Sequence, residues 1–224
     1  MLYLLARLLF LSGHDIAAAS NLTEQSLTLL QEIDNSWERA YPLVLLGQLT
    51  LQRDDQAQAR ALFEESRSSF KEVGDHAGMA EALTGLASVA TLQGDFVAAH
   101  HLYQECLPIL QRIQYQELIP LCLEGLATVA AELGTNPSLQ RDFASTASRS
   151  GALQGEGELL WAAHLWGAAE ALREAIGTPI PPVYRLAHER AVAKARTQFG
   201  NETFARAWAE GRTMTPEQAM TRQN

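Results

Sequence analysis

The chain of 224 residues is 47% apolar, enough to bury the core of one domain or two small ones without disulfide or metal staples, which excludes a disordered tail. Its formal net charge of −9 and pI near 5.1 exclude the broad basic face that non-specific phosphate binding needs, so no direct nucleic-acid binding by this chain is expected. Ala, Leu, Glu, Gln and Arg dominate while alternating runs of Val, Ile and Thr are missing, so an all-α protein is expected.

The opening stretch MLYLLARLLFLSGHDIAAAS has the apolar run and the small residues of a signal peptide. It lacks a basic start, Arg7 interrupts it, and it falls far short of the ~20 residues that span a bilayer. A cytoplasmic protein with no membrane partner is therefore expected. Leu2, Leu5, Leu8 and Leu9 are expected to begin partway through a helix pair with no amino-terminal cap, and to form a sticky end suited to self-association.

The chain then repeats with a period of 40. Asp15, Asp55 and Asp95 are spaced by 40 (55 − 15 and 95 − 55), each in a short polar break, and Ala19, Ala59 and Ala99 and Leu22, Leu62 and Leu102 keep the register. Upstream of the breaks, Leu43, Leu83 and Leu123, Leu46, Leu86 and Leu126, and Leu49, Val89 and Val129 share one helical face. Downstream, Ala59, Leu62, Phe63, Ser66 and Phe70 form a second face, repeated by Ala99, Leu102, Tyr103, Cys106 and Leu110. Each unit thus reads as two amphipathic helices with a tight turn. Small residues at Gly47, Ala87 and Ala127, and at Ala59 and Ala99, are expected to let helix backbones approach closely. The breaks recur too often for the sustained heptads of a coiled coil.

The order L-x-x-L-G/A, a Gly-Asp type turn, then A-x-x-x-F/Y-x-x-S/C, seen in LVLLGQLTLQRDDQAQARALFEES and LTGLASVATLQGDFVAAHHLYQEC, resembles the tetratricopeptide (TPR) pattern. The resemblance covers about residues 1–134, roughly three and a half units, and departs from it in a unit longer than the usual ~34 residues and in lacking the closing proline. It implies an αα-superhelix, a right-handed solenoid of antiparallel helix pairs. Units of this length are similar to those in large bacterial regulators that join a STAND-type ATPase, a repeat array and, in some, a LuxR-type DNA-binding domain.

Residues 135–157, rich in Ser, Thr, Gly and Asn, leave the register and are expected to form an irregular connector with one short helix from Leu139 to Ser148. A strong helix resumes at Glu158, with Trp161, Leu165, Ala168, Leu172 and Ile176 as its apolar stripe, and ends at Gly177 before TPIPP. Further helices are expected at about 183–198, 202–211 and 216–222, the last with Thr215 as N-cap and Pro216 in the first turn. This stretch, LWGAAEALREAIGTPIPPVYR onward, is similar to the segment that closes the array in the same bacterial regulators, which implies a carboxy-terminal helical cap over residues 158–224. Trp161, Trp166 and Trp208 are expected in the core of that cap.

No nucleophile, base or metal set stands at workable spacing, so no enzyme activity, cofactor or metal is expected. The P-loop string is missing, Gly155-Glu156-Gly157 is too small a fragment of a phosphate loop, and no further histidine or cysteine stands one turn from His100 or His101. Cys106 and Cys122 match no metal spacing and read as small buried residues. Stacked helix pairs create a concave groove lined by the first helix of each unit. Carrying the family's groove positions across implies a partner-binding set at Tyr41, Val44, Gln48 and Gln52, then Glu81, Thr84, Ser88 and Thr91, then Glu124, Thr128 and Glu132. These are neutral or acidic, which argues against capture of a carboxylate terminus. The expected function is a non-catalytic protein-interaction or sensing module of a bacterial signal-transduction or transcription regulator. The alternatives are a structural homo-oligomer built through the first repeat and a small-molecule sensor with a pocket near Trp161 and Trp166.

Overall fold

The computed structural model describes residues 1–31, 36–146 and 155–221. Twelve helices and no strand occur among the described residues: α1 (Leu2–Ser12), α2 (Ile16–Gln31), α3 (Ser36–Gln52), α4 (Gln56–Val73), α5 (His76–Leu92), α6 (Phe96–Arg112), α7 (Ile119–Thr135), α8 (Pro137–Thr146), α9 (Gly155–Ile176), α10 (Pro182–Phe199), α11 (Asn201–Gly211) and α12 (Pro216–Met220). No helix among them is long and apolar enough to cross a membrane.

The recurring aspartates are helix N-caps. Oδ1 of Asp15, Asp55 and Asp95 accepts a hydrogen bond from the backbone N–H of Ala18, Gln58 and Ala98 at 2.8, 3.0 and 3.0 Å, so one of the unpaired donors at the start of α2, α4 and α6 is satisfied each time. Asp75 does the same for Gly78 at the start of α5, at 3.0 Å. One residue of each turn from α3 to α7 is left-handed: Asp54 (φ 62°), Gly74 (74°), Gly94 (76°) and Gln114 (55°), in steps of 20 (74 − 54, 94 − 74, 114 − 94). The 40-residue unit is therefore two half-units of equal length, each a helix of about five turns followed by a reversal.

The second helix of each pair is fastened to the first by the last position of the sequence pattern. Ser66 Oγ donates to the Ala40 carbonyl at 2.8 Å, and Cys106 Sγ, one unit on, donates to the Ala80 carbonyl at 3.4 Å. Beside Cys106 lies Cys122, the two free thiols 3.6 Å apart and buried against the Thr84 hydroxyl. Burial pushes the Cys122 thiol well up, while the hydrogen bond from Cys122 lowers that of Cys106. Of the small residues of the array, Ala59, Ala87, Ala99 and Ala127 are fully buried, and Gly47 makes room for an aromatic ring, as do two further glycines. A Cβ at Gly47 would meet the Phe63 ring at 2.8 Å, one at Gly85 would strike the same ring, and one at Gly125 would strike Tyr103. Small side chains on the first helices thus make sockets for aromatic rings of the second. Close backbone approach at a glycine occurs later in the chain, where Gly167 of α9 faces the Trp208 carbonyl and Gly211 of α11 faces the His164 carbonyl.

After α7 the register ends but the packing does not. Helix α8 already starts at Pro137 and α9 at Gly155, so much of the expected irregular connector is helical; its residues 147–154, like residue 222, lie outside the described residues. From Trp161 to Ala169 helix α9 is buried on every side. It packs against α7, α11 and α12, and Leu159, Trp161, Leu165 and Trp166 belong to one hydrophobic cluster with Leu123, Leu126 and Ala130 of α7 and with Phe204, Ala207 and Ala219. The Trp161 indole N–H donates to the Ala219 carbonyl at 2.8 Å, and α12 begins with a full capping box between Thr215 and Gln218.

Candidate functional site: the inner face of the helix array

Helices α1, α3, α5 and α7 touch one another in succession, as the inner helices of a curved array do. The curvature is tight enough for Arg7 of α1 to pass over α3 and reach Glu81 of α5. Its guanidinium lies 3.0 Å from Glu81 Oε1 and donates to the Tyr3 hydroxyl at 2.9 Å, while the Tyr115 hydroxyl donates to the same Glu81 oxygen at 2.9 Å. Burial works against the Arg7 charge, but Glu81, Tyr3 and Tyr115 together more than compensate and raise its pKa. Burial also raises the hydroxyl of Tyr3, and burial together with Glu81 pushes Tyr115 up to about 12. Tyr41 donates to Asp75 Oδ2 at 2.9 Å. Together Tyr3, Arg7, Tyr41, Ala77, Glu81, Ile113, Gln114 and Tyr115 line an open cleft of about 500 Å³.

The eleven expected groove residues divide into three groups. Tyr41 and Glu81 meet in the cleft, Gln48 is half-buried and Gln52 exposed. Four make their contacts within the array: Val44 is buried in the cluster with Phe63 and Phe70, Thr84 hydrogen-bonds the Ala80 carbonyl and contacts both cysteines, and the half-buried Ser88 and Thr91 donate to the Thr84 and Ala87 carbonyls at 2.9 and 2.8 Å. The reason is position: α5 is enclosed by α3, α4, α6 and α7, so almost its whole circumference is interior. The last three sit under the carboxy-terminal segment. Glu124 is buried in a two-pronged ion pair with Arg173 of α9, at 2.6 Å to Nε and 2.8 Å to Nη2. Glu132 accepts from Lys194 of α10 at 2.6 and 2.7 Å, and Thr128 is half-buried with its hydroxyl on the Glu124 carbonyl.

Helix α10 itself lies across the inner face. At its start Val183 and Tyr184 pack against the cluster of Phe10, Leu45 and Leu49, with the Tyr184 and Phe10 rings edge to face at 6.2 Å. Ten residues later Lys194 reaches α7. That length of helix spans about 15 Å, so α10 bridges the first and the fourth of the inner helices. Sequence reasoning passed over Arg7, Tyr3, Tyr115, Tyr184 and Lys194. The signal available for Arg7 was its place in an apolar helix with a tyrosine four residues before it; nothing local marks the others. Between α9, α10 and α11 a second cavity of about 380 Å³ is lined by Trp166, Trp208, His188, Glu124 and Arg173 among others, and burial lowers the His188 pKa. Trp161 does not border it.

Residues 38–112, from α3 to the end of α6, match the model of the tetratricopeptide repeat family. This part of the chain therefore carries tetratricopeptide-type helix pairs, units that serve protein–protein interaction. No curated protein matches the chain. Among solved structures it is similar to a Podosopora anserina protein described as a kinesin light chain with nearly identical TPR-like repeats, at 17% identity over 88% of this chain and 92% of that one with a TM-score of 0.45, and equally to a point variant of that protein.

Proposed function

We propose that the chain is a non-catalytic interaction module that binds a protein partner through the inner face of its helix array, in the setting of a bacterial cytoplasmic signal-transduction or transcription regulator. The observation that carries this reading is the cleft of Tyr3, Tyr41 and Tyr115 around the Arg7–Glu81 pair. Tyrosines offer large, rigid contact area with a polar tip at little cost in side-chain entropy, the chemistry that protein-binding surfaces favour. The regulator setting is supported by the similarity of the repeat units and of the closing segment to those proteins. We read residues 1–134 as the array, 135–157 as a connector and 158–224 as a cap, a division supported by the end of the 20-residue spacing at Gln114 and by the change in packing around α9.

The test compares proteins retained from the source cell extract by the chain and by its Tyr41→Ala/Tyr115→Ala variant. A partner held by the first and lost by the second is expected. Identical retained sets for two equally folded proteins would contradict the reading.

A second reading, self-association, has its own support. Leu4, Leu5, Leu8 and Leu11 form an exposed stripe on α1, from 37% to 65% accessible, whereas Leu2 and Leu9 are half-buried. Light scattering decides it: dimers that vanish on Leu5→Glu/Leu8→Glu favour it, and monomers at all concentrations exclude it.

A further inference from the structure

We propose that the surface beneath α10 is itself a docking site for an amphipathic helix of a partner protein, and that α10 occupies it in cis as a displaceable stand-in. The inference rests on the reading of the inner face as the binding surface and specifies the kind of partner it takes: a helix with an aromatic residue at one end and a lysine or arginine about ten positions on.

Three observations support it. First, α10 is lightly held. Of its 18 residues only Ala195 is buried, whereas the 17-residue α7 buries eleven and the 22-residue α9 buries twelve. Its ion pair to Glu132 is half-exposed, with 49% of the Lys194 side chain accessible, and such pairs contribute little to stability. Second, α10 can leave without dismantling its neighbours. Left-handed glycines stand on either side, Gly177 at φ 68° and Gly200 at φ 87°, and α9 and α11 hold each other directly through the Gly167 and Gly211 contacts and through Arg212, which lies 2.6 Å from Glu174. Third, the surface it covers is complementary to a helix of this chemistry. Phe10, Leu45 and Leu49, almost completely buried, receive the aromatic end, and Glu132 waits for a cation about 15 Å away. A partner helix with the same two anchors competes with α10 for the same contacts, and its apparent affinity is reduced by the fraction of molecules in which α10 is down.

The experiment uses a fluorescently labelled synthetic peptide of residues 179–200 of this chain and reads anisotropy against the full-length protein. Loosening the strap by Tyr184→Ala/Lys194→Glu is expected to tighten peptide binding by roughly tenfold relative to the unaltered chain. A peptide carrying the same two changes is expected to bind neither protein. Lys194→Glu alone, at a half-exposed position that leaves folding intact, is expected to shift affinity in the same direction by roughly threefold. The charge-swapped Glu132→Lys/Lys194→Glu chain is expected to exclude the natural peptide. Equal peptide affinity for the unaltered and loosened proteins, both helical by circular dichroism, overturns the proposal, as does the absence of peptide binding to both. Because Tyr41 and Tyr115 are untouched, either failure leaves the tyrosine cleft and its partner to be judged separately.

Discussion

In the first half of the molecule the geometry recurs: an aspartate caps three successive second helices, a left-handed residue reverses the chain every 20 positions from Asp54 to Gln114, and an aromatic ring enters a socket of small residues. In the second half nothing recurs, yet α9 is enclosed on all sides and shares one core with α7. The periodic region is held by many similar local contacts, each cheap to alter. The aperiodic region is held by the long-range packing of α9 against α7, α11 and α12. A helix pair in an array leaves an apolar face for its neighbour, and here the last such face is answered by α9, not by a further copy of the repeat.

Alkali has the largest expected effect because it reaches both regions. All five tyrosines have raised hydroxyl pKa values, with burial as the first cause in each case. A raised pKa means the neutral phenol is favoured by folding. Its stabilising contribution is therefore complete below the ordinary tyrosine pKa of about 10 and is lost as pH rises through the folded value, about 12 for Tyr115. Ultraviolet titration at the tyrosinate band is expected to lag behind free tyrosine and then rise together with loss of helical circular dichroism.

Next comes the junction between the regions. Arg173→Met leaves Glu124 buried without its ion partner and is expected to cost about 3–5 kcal/mol in denaturant unfolding, most of which Glu124→Leu/Arg173→Met recovers. One chemical change placed in both regions then sharpens the contrast. Gly211→Ala drives a Cβ into the His164 backbone and is expected to cost about 1–3 kcal/mol, whereas Gly47→Ala meets only the Phe63 ring, which can turn, and is expected to cost less. Smallest are the repeat caps: Asp55→Ala and Asp95→Ala are each expected to cost about 1 kcal/mol, and the double variant the sum of the two. Strong non-additivity there would mean the units are less alike than their geometry.

The fold was legible where it repeats. The spacing of Asp15, Asp55 and Asp95 and of the Leu and Ala positions located the helix pairs, because each residue has a local role within its own unit. Thr215 and Pro216 located α12 for the same reason. The half-period of 20 was hidden because its markers differ, Asp54 and Gln114 taking the left-handed place that Gly74 and Gly94 fill elsewhere. Groove positions were legible in part: Tyr41 and Glu81 come together, but Thr84 is buried and Ser88 and Thr91 are half-buried, because enclosure of α5 is a property of its neighbours and not of its own pattern. The pairings of Arg7 with Glu81, Glu124 with Arg173 and Glu132 with Lys194 join residues 49 to 74 positions apart, and no local signal encodes them.

The return of α10 to the first repeat is the central structural claim, since it decides how much of the inner face a partner can reach. Nuclear Overhauser spectroscopy on the full chain with labelled Phe and Tyr rings tests it directly. Cross-peaks between the ring protons of Phe10 and Tyr184 are expected from rings 6.2 Å apart. Their absence in a folded sample, with the Tyr3 to Tyr41 contact still visible, would contradict the closed arrangement and leave an open array.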